Sequence, residues 1–181
     1  MSAWVVFLRG VNVGGSGSLP MKELVALLEG LGCQNARTYI QSGNALFEGT
    51  KADATRVAKQ LGPAIRKKRG FEPRLLVLSL AELEAAAADN PYAQAAASEP
   101  QFLHVLFLTE KPRAPDIEAL NAVKASHESF TLKGKLFYLH TPKGFGTSKL
   151  AARAAKCLGT DATARNWRTI TAMLNLARGD P

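Results

Sequence analysis

Trp4-Val5-Val6-Phe7-Leu8-Arg9-Gly10-Val11-Asn12-Val13-Gly14-Gly15 is the stretch from which the fold can be read. Its first five residues, β-branched, aromatic or aliphatic, predict a short buried strand. Glycines then open a loop. Beyond it, Met21, Leu24, Val25, Leu27, Leu28 and Leu31 recur at three- and four-residue spacing, which predicts a helix with Pro20 in its first turn and Gly32 closing it. Residues 37–40 and 45–48 flank Gln41-Ser42-Gly43-Asn44, whose Gly-Asn pair suits a tight hairpin with positive φ. The result is a strand, helix, hairpin unit.

Working outward, residues 54–69 carry Val57, Ala58, Leu61 and Ile65 at helical spacing, and Pro63 is expected to kink or split that helix because it lacks a backbone donor. Arg66-Lys67-Lys68-Arg69 ends it, placing cations where the helix dipole favours them. A strand over 74–80 and an alanine-rich helix over 81–89 follow, stopped by Asn90-Pro91-Tyr92, and the small polar stretch up to Pro100 reads as a linker. The second half repeats this order: a strand over 102–108, a helix over 115–126, a hairpin of 130–132 and 136–139 about Lys133-Gly134, a helix over 148–158, a strand over 162–166 and a last helix carrying Trp167, Ile170, Met173, Leu174 and Leu176. The order βαββαβ plus a trailing helix, twice, predicts an α+β protein of two tandem ferredoxin-like halves, residues 1–95 and 96–181, each an antiparallel sheet with helices on one face.

Charge is distributed unevenly. Residues 129–178 hold Lys133, Lys135, Lys143, Lys149, Arg153, Lys156, Arg165, Arg168 and Arg178 against Asp161 alone, so this segment carries the whole formal charge of +8. Such an excess attracts polyanions and phosphorylated ligands at long range. No apolar run approaches the roughly 18 residues of a membrane span, and Met1-Ser2-Ala3-Trp4 does not open a signal peptide. A cytoplasmic protein with no membrane partner is expected. Cys33 and Cys157 lie far apart with no CxxC or Cys/His cluster, which supports neither a disulfide framework nor a metal site.

Several motifs together resemble a known family: Leu8-Arg9-Gly10-Val11-Asn12-Val13-Gly14-Gly15, Thr38-Tyr39-Ile40-Gln41-Ser42-Gly43-Asn44-Ala45-Leu46-Phe47, Asn90-Pro91-Tyr92, Ser148-Lys149-Leu150 and Thr163-Ala164-Arg165-Asn166-Trp167-Arg168-Thr169. In this set and order the chain is similar to the bacterial domain-of-unknown-function family 1697 over nearly its whole length. The resemblance implies a cytosolic protein of two ferredoxin-like halves and no established activity. Members often carry lysines after the double glycine, where Ser16-Gly17-Ser18 stand here, so phosphate held at this loop would rely on backbone N–H groups.

Three functional readings follow. The first is a binding module for an anionic ligand, single-stranded nucleic acid or a nucleotide. In it Arg9, Asn12, Gly14 and Gly15 belong to an anion-holding loop, Gln41, Ser42 and Asn44 form a polar hairpin tip, and Lys149 and Arg165 contact phosphate beside Asn166, Trp167 and Thr169, with the indole as stacking platform. A structural explanation competes at each place: glycines serve the turn, Gly43 and Asn44 serve the hairpin, and Asn166 caps the last helix with Trp167 in the core. The strands are mainly aliphatic, which disfavours the sheet-face aromatic mode of RNA binding. The second reading is an enzyme on a small phosphorylated or nucleotide-like substrate expected in a cleft between the halves, with the glycine loop at the phosphate, yet His104, His127 and His140 have no nucleophile motif or metal-ligand spacing beside them, so no catalytic residue, cofactor or metal is assigned. The third is a protein-interaction or homodimerisation domain offering an exposed sheet.

Overall fold

The computed structural model describes residues 1–15 and 17–179. The first repeat runs β1 (Ser2–Arg9), α1 (Met21–Gly30), β2 (Gln34–Tyr39), β3 (Asn44–Gly49), α2 (Lys51–Arg69), β4 (Arg74–Ser79) and α3 (Leu80–Ala88). A short α4 (Ala93–Ser98) intervenes. The second repeat runs β5 (Leu103–Leu108), α5 (Ile117–Val123), β6 (Ser129–Lys133), β7 (Leu136–His140), α6 (Lys149–Leu158), β8 (Ala162–Asn166) and α7 (Trp167–Arg178). The sheets have the orders β2-β3-β1-β4 and β6-β7-β5-β8, antiparallel throughout. Each is therefore a ferredoxin-like half, as the element order predicts.

The chain divides into two compact units, Met1–Ala85 with the residues from Thr171 on, and Ala86–Ile170. In the first, Val6, Leu8, Ala45 and Phe47 project from one sheet face into a core with Leu24 and Leu28 of α1 and Val57, Leu61 and Ile65 of α2. In the second, Leu106, Leu108, Phe137 and Leu139 pack with Leu120 of α5 and Leu150, Ala154 and Leu158 of α6. The alternating residues on the opposite faces, Val5, Phe7 and Leu46 in one sheet and Val105, Phe107 and Tyr138 in the other, are buried as well.

Two local expectations are corrected. Helix α2 is continuous through Pro63. The proline is exposed, so the carbonyl one turn earlier loses its donor towards water, and five buried residues on the other face hold the helix. The expected linker contains α4, because Ala93-Gln94-Ala95-Ala96-Ala97 has high helix propensity and the Tyr92 carbonyl accepts from Ala96 N–H at 2.9 Å. Side chains cap several of the helices. Thr50 and Asp53 form a capping box on α2, Ser148 caps α6, and Ser79 and Asn166, each ending the last strand of its repeat, cap the helices that follow.

Candidate functional site

The first unit gathers much of its unusual backbone at one end of its sheet. Arg9 ends β1, the glycine loop follows, the β2–β3 turn closes alongside, and Arg74 begins β4. Gly10, Asn12, Gly14, Gly15 and Gly17 all have positive φ, between 54° and 77°. Asn12 holds this loop together: its Nδ2 donates to the carbonyls of Leu19 at 2.8 Å and Gln41 at 2.7 Å, and its Oδ1 accepts from Leu19 N–H at 2.8 Å. Asn12 N–H also donates to the Gly17 carbonyl at 2.9 Å. Gly17 is obligatory, since a Cβ there would lie 2.4 Å from the Gly10 oxygen. Gly14 and Gly15 are exposed with open space around them.

The β2–β3 turn is pinned to the same place. Leu8 N–H donates to the Gly43 carbonyl at 2.8 Å, and a Cβ on Gly43 would come within 2.7 Å of Leu8 Cβ. Asn44 does not read a ligand edge from the turn. It is fully buried as the first residue of β3, and its Nδ2 donates to the Tyr39 carbonyl at 3.2 Å and to Ser42 Oγ at 3.1 Å. Gln41 and Ser42 are exposed. The left-handed partner of Gly43 in the turn is Ile40, with φ of 48°.

Charge at this end is strongly positive. Arg9 and Arg74 are directly opposed in the β1–β4 register. The last turn of α2 adds Arg66, Lys67, Lys68 and Arg69, of which Arg69 makes a bidentate pair with Glu23 at the start of α1, Lys68 lies 3.9 Å from the same carboxylate, and Arg66 is 3.7 Å from Glu72. Arg69, assisted by Lys68, lowers the pKa of Glu23. Segments 9–23 and 66–74 together carry Arg9, Lys22, Arg66, Lys67, Lys68, Arg69 and Arg74 against Glu23 and Glu72. A portion of the chain that is neutral by summation is therefore basic at this end.

The remaining sequence-selected residues lie in the second unit. Asn166 Oδ1 accepts from Thr169 N–H at 2.9 Å, and Trp167 N–H donates to the Pro100 carbonyl at 3.2 Å, so both serve the start of α7. Thr169 is buried and Trp167 half-buried. Arg165 sits on β8 opposite Val105 and donates to the Ala164 carbonyl at 2.9 Å, and burial lowers its pKa to about 10. Lys149 is exposed in the first turn of α6.

A second cluster escaped the sequence reading because its members are dispersed along the chain. His140 Nε2 meets Glu99 Oε2 at 3.0 Å, and the Tyr92 ring lies 6.4 Å from the imidazole. They line a cavity of about 450 Å³ with Pro91, Gln94 and Ser98. Asn90-Pro91-Tyr92 does more than stop a helix: Asn90 Oδ1 accepts from Tyr92 N–H at 2.9 Å, and Tyr92 shares a 2.9 Å hydroxyl bond with Thr131. Desolvation raises the Tyr92 pKa. His104 lies on β5, stacked 4.2 Å from Phe145, and its buried Nδ1 has no hydrogen bond, so the ring is not the fully satisfied strand histidine its apolar run suggests. Burial lowers its pKa to about 4, the Phe102 backbone acting in the opposite direction. Among the described residues no group of three or more His, Cys, Asp or Glu side chains could hold a metal ion, and no helix is long and apolar enough to cross a membrane.

No curated protein compared with the chain matches it. A solved structure, conserved bacterial protein SP0830 from Streptococcus pneumoniae, is similar over 97% of this chain and 98% of its own, with a TM-score of 0.65 and 22% identity. That likeness carries the fold. The model of the protein family of unknown function DUF1697 matches residues 1–138, in keeping with the glycine loop, the hairpin and the Asn90-Pro91-Tyr92 turn whose geometry is given above, and the chain belongs to that family.

Proposed function

We propose that the protein is a binding module for an anionic ligand, single-stranded nucleic acid or a nucleotide, and that the loop end of its first unit is the contact surface. The observation that carries this reading is the cross-strand pair Arg9 and Arg74. Directly opposed residues of an antiparallel ladder have Cβ atoms about 5 Å apart, so the two arginines serve one patch of surface. One anionic group can therefore be addressed by both guanidiniums through charge-assisted contacts. The left-handed glycines beside them leave the backbone accessible, and the basic segment 129–178 adds to the field that draws a polyanion in.

The test is binding of a labelled oligonucleotide across a salt series. Affinity should fall linearly in log salt, and Arg9→Ala and Arg74→Ala should each weaken binding and reduce the slope by about 1. Trp167→Ala, in a folded protein, reports separately on the stacking role expected from sequence. No binding at low salt rejects the reading.

One observation favours a second reading, an enzyme. The His140–Glu99 pair in its cavity leaves the imidazole Nδ1 as a proton acceptor when Nε2–H donates its hydrogen bond to the Glu99 carboxylate. Loss of turnover in His140→Gln, in a screen of nucleotides and phosphorylated metabolites that wild type converts, would establish it.

A further inference from the structure

We infer that the ligand engaged at the loop end of the first unit is a single strand with unpaired bases, contacted by the exposed side chains of Ile40 and Val13; this rests on the anion-binding reading above. Among the large hydrophobic residues that the described chain leaves exposed are Val13 at 60% and Ile40 at 52%. They flank a single hydrogen bond, from Asn12 Nδ2 to the Gln41 carbonyl, so the two apolar side chains stand on adjoining loop tips.

Ile40 is the more telling of the two. Its φ of 48° puts a β-branched side chain in the left-handed region, where it is a conformational outlier. Half of its surface remains in water, so burial offsets the strain only in part. The conformation is nevertheless over-determined: Asn44 bonds the carbonyl of Tyr39 before it, Asn12 bonds the carbonyl of Gln41 after it, and Gly43 is locked against Leu8. Strain held in place by its surroundings and directed at solvent marks a contact site.

The surroundings of that contact select its partner. Arg9 and Arg74 end the strands at this end of the sheet, and the basic turn of α2 lies at the same end. A ligand that satisfies both features alternates anionic and flat apolar groups along its length. Nucleic acid does so, and only a single strand presents base faces, since a duplex stacks them on one another. A bilayer would also meet both features, but two side chains provide little apolar area for insertion.

The experiment measures the affinity of a labelled oligouridylate, its duplex with oligoadenylate, and vesicles of phosphatidylserine and phosphatidylcholine for wild type, Ile40→Asn, Val13→Ser and Arg9→Ala. Asparagine tolerates the left-handed conformation, so Ile40→Asn should melt no lower than wild type. The inference expects the single strand to bind tighter than the duplex, and Ile40→Asn and Val13→Ser to weaken it about tenfold at unchanged salt slope, as losing a base contact does. Duplex binding equal to the single strand, or single-strand binding indifferent to both substitutions yet lost in Arg9→Ala, overturns the base contact while leaving the anion site standing. Ile40-dependent binding to vesicles without oligonucleotide binding overturns it in favour of a lipid surface. Absence of binding to any of the three at low salt overturns the anion site and the base contact together.

Discussion

Asn12 Nδ2 donates to the Gln41 carbonyl at 2.7 Å, so one carboxamide joins the glycine loop to the β2–β3 turn. With two further bonds to Leu19, that side chain satisfies three backbone groups from its own left-handed position. Asn12→Ala removes all three bonds and places a Cβ residue without a local hydrogen bond at φ of 54°. The expected loss is roughly 2 kcal/mol. Urea unfolding should show a lower midpoint at unchanged m-value, with Asn12→Gly losing less because it keeps the backbone conformation.

His104 makes stability depend on acid. Its folded pKa of about 4 lies below the ordinary 6.5, so the folded state prefers the neutral ring. Stability is fully present above pH 6.5 and is lost as pH falls from there through about 4. The loss is on the order of 3 kcal/mol at its limit. Denaturant melts at pH 7.5 and pH 4.5 measure it, and in His104→Gln the difference should shrink by that part.

The two thiols should differ in reactivity. Cys33 is buried, and desolvation, helped by Asp53, pushes its pKa up to about 11. Thiolate is the reactive form, so Cys33 resists alkylation. Cys157 is half-buried on α6. Iodoacetamide on the native protein at pH 8 should modify Cys157 first, with Cys33 reacting only on unfolding, as peptide mass mapping would read.

The α2 cap is separable from the site. Thr50→Ala deletes the hydroxyl that accepts from Asp53 N–H at 3.2 Å and donates to the Asp53 carboxylate at 2.7 Å. It should cost about 1 kcal/mol while leaving oligonucleotide affinity unchanged, because Thr50 starts α2 and the basic turn ends it. Equilibrium unfolding and anisotropy titration on the same preparation check both halves of this statement.

The fold was legible because its signals are local. Strand runs, three- and four-residue spacing, Gly134 in its turn and the cap Asn166 are each read from a few neighbouring residues, and their order names the topology. Pro63 misled because burial of five residues on the opposite face of α2 outweighs one missing donor. The site was legible only in part. Gly14, Gly15 and Arg9 are where the loop predicts, but Asn44 is a buried strand residue, since one position of register moved it from turn to core. Arg74 was invisible as a site residue until the β1–β4 register placed it opposite Arg9. Tyr92, Glu99 and His140 meet through folding alone, and no spacing encodes their meeting.

The residues from Thr171 on belong with the first unit, whereas the second unit is one unbroken segment. During synthesis, the later half of the chain therefore has all of its own residues before the earlier half does. The first unit, although its strands are translated first, is complete only once the buried Met173 and Leu174 of α7 are added. Truncation at the far C-terminus should accordingly be felt at the N-terminal strands, more than a hundred and fifty residues away.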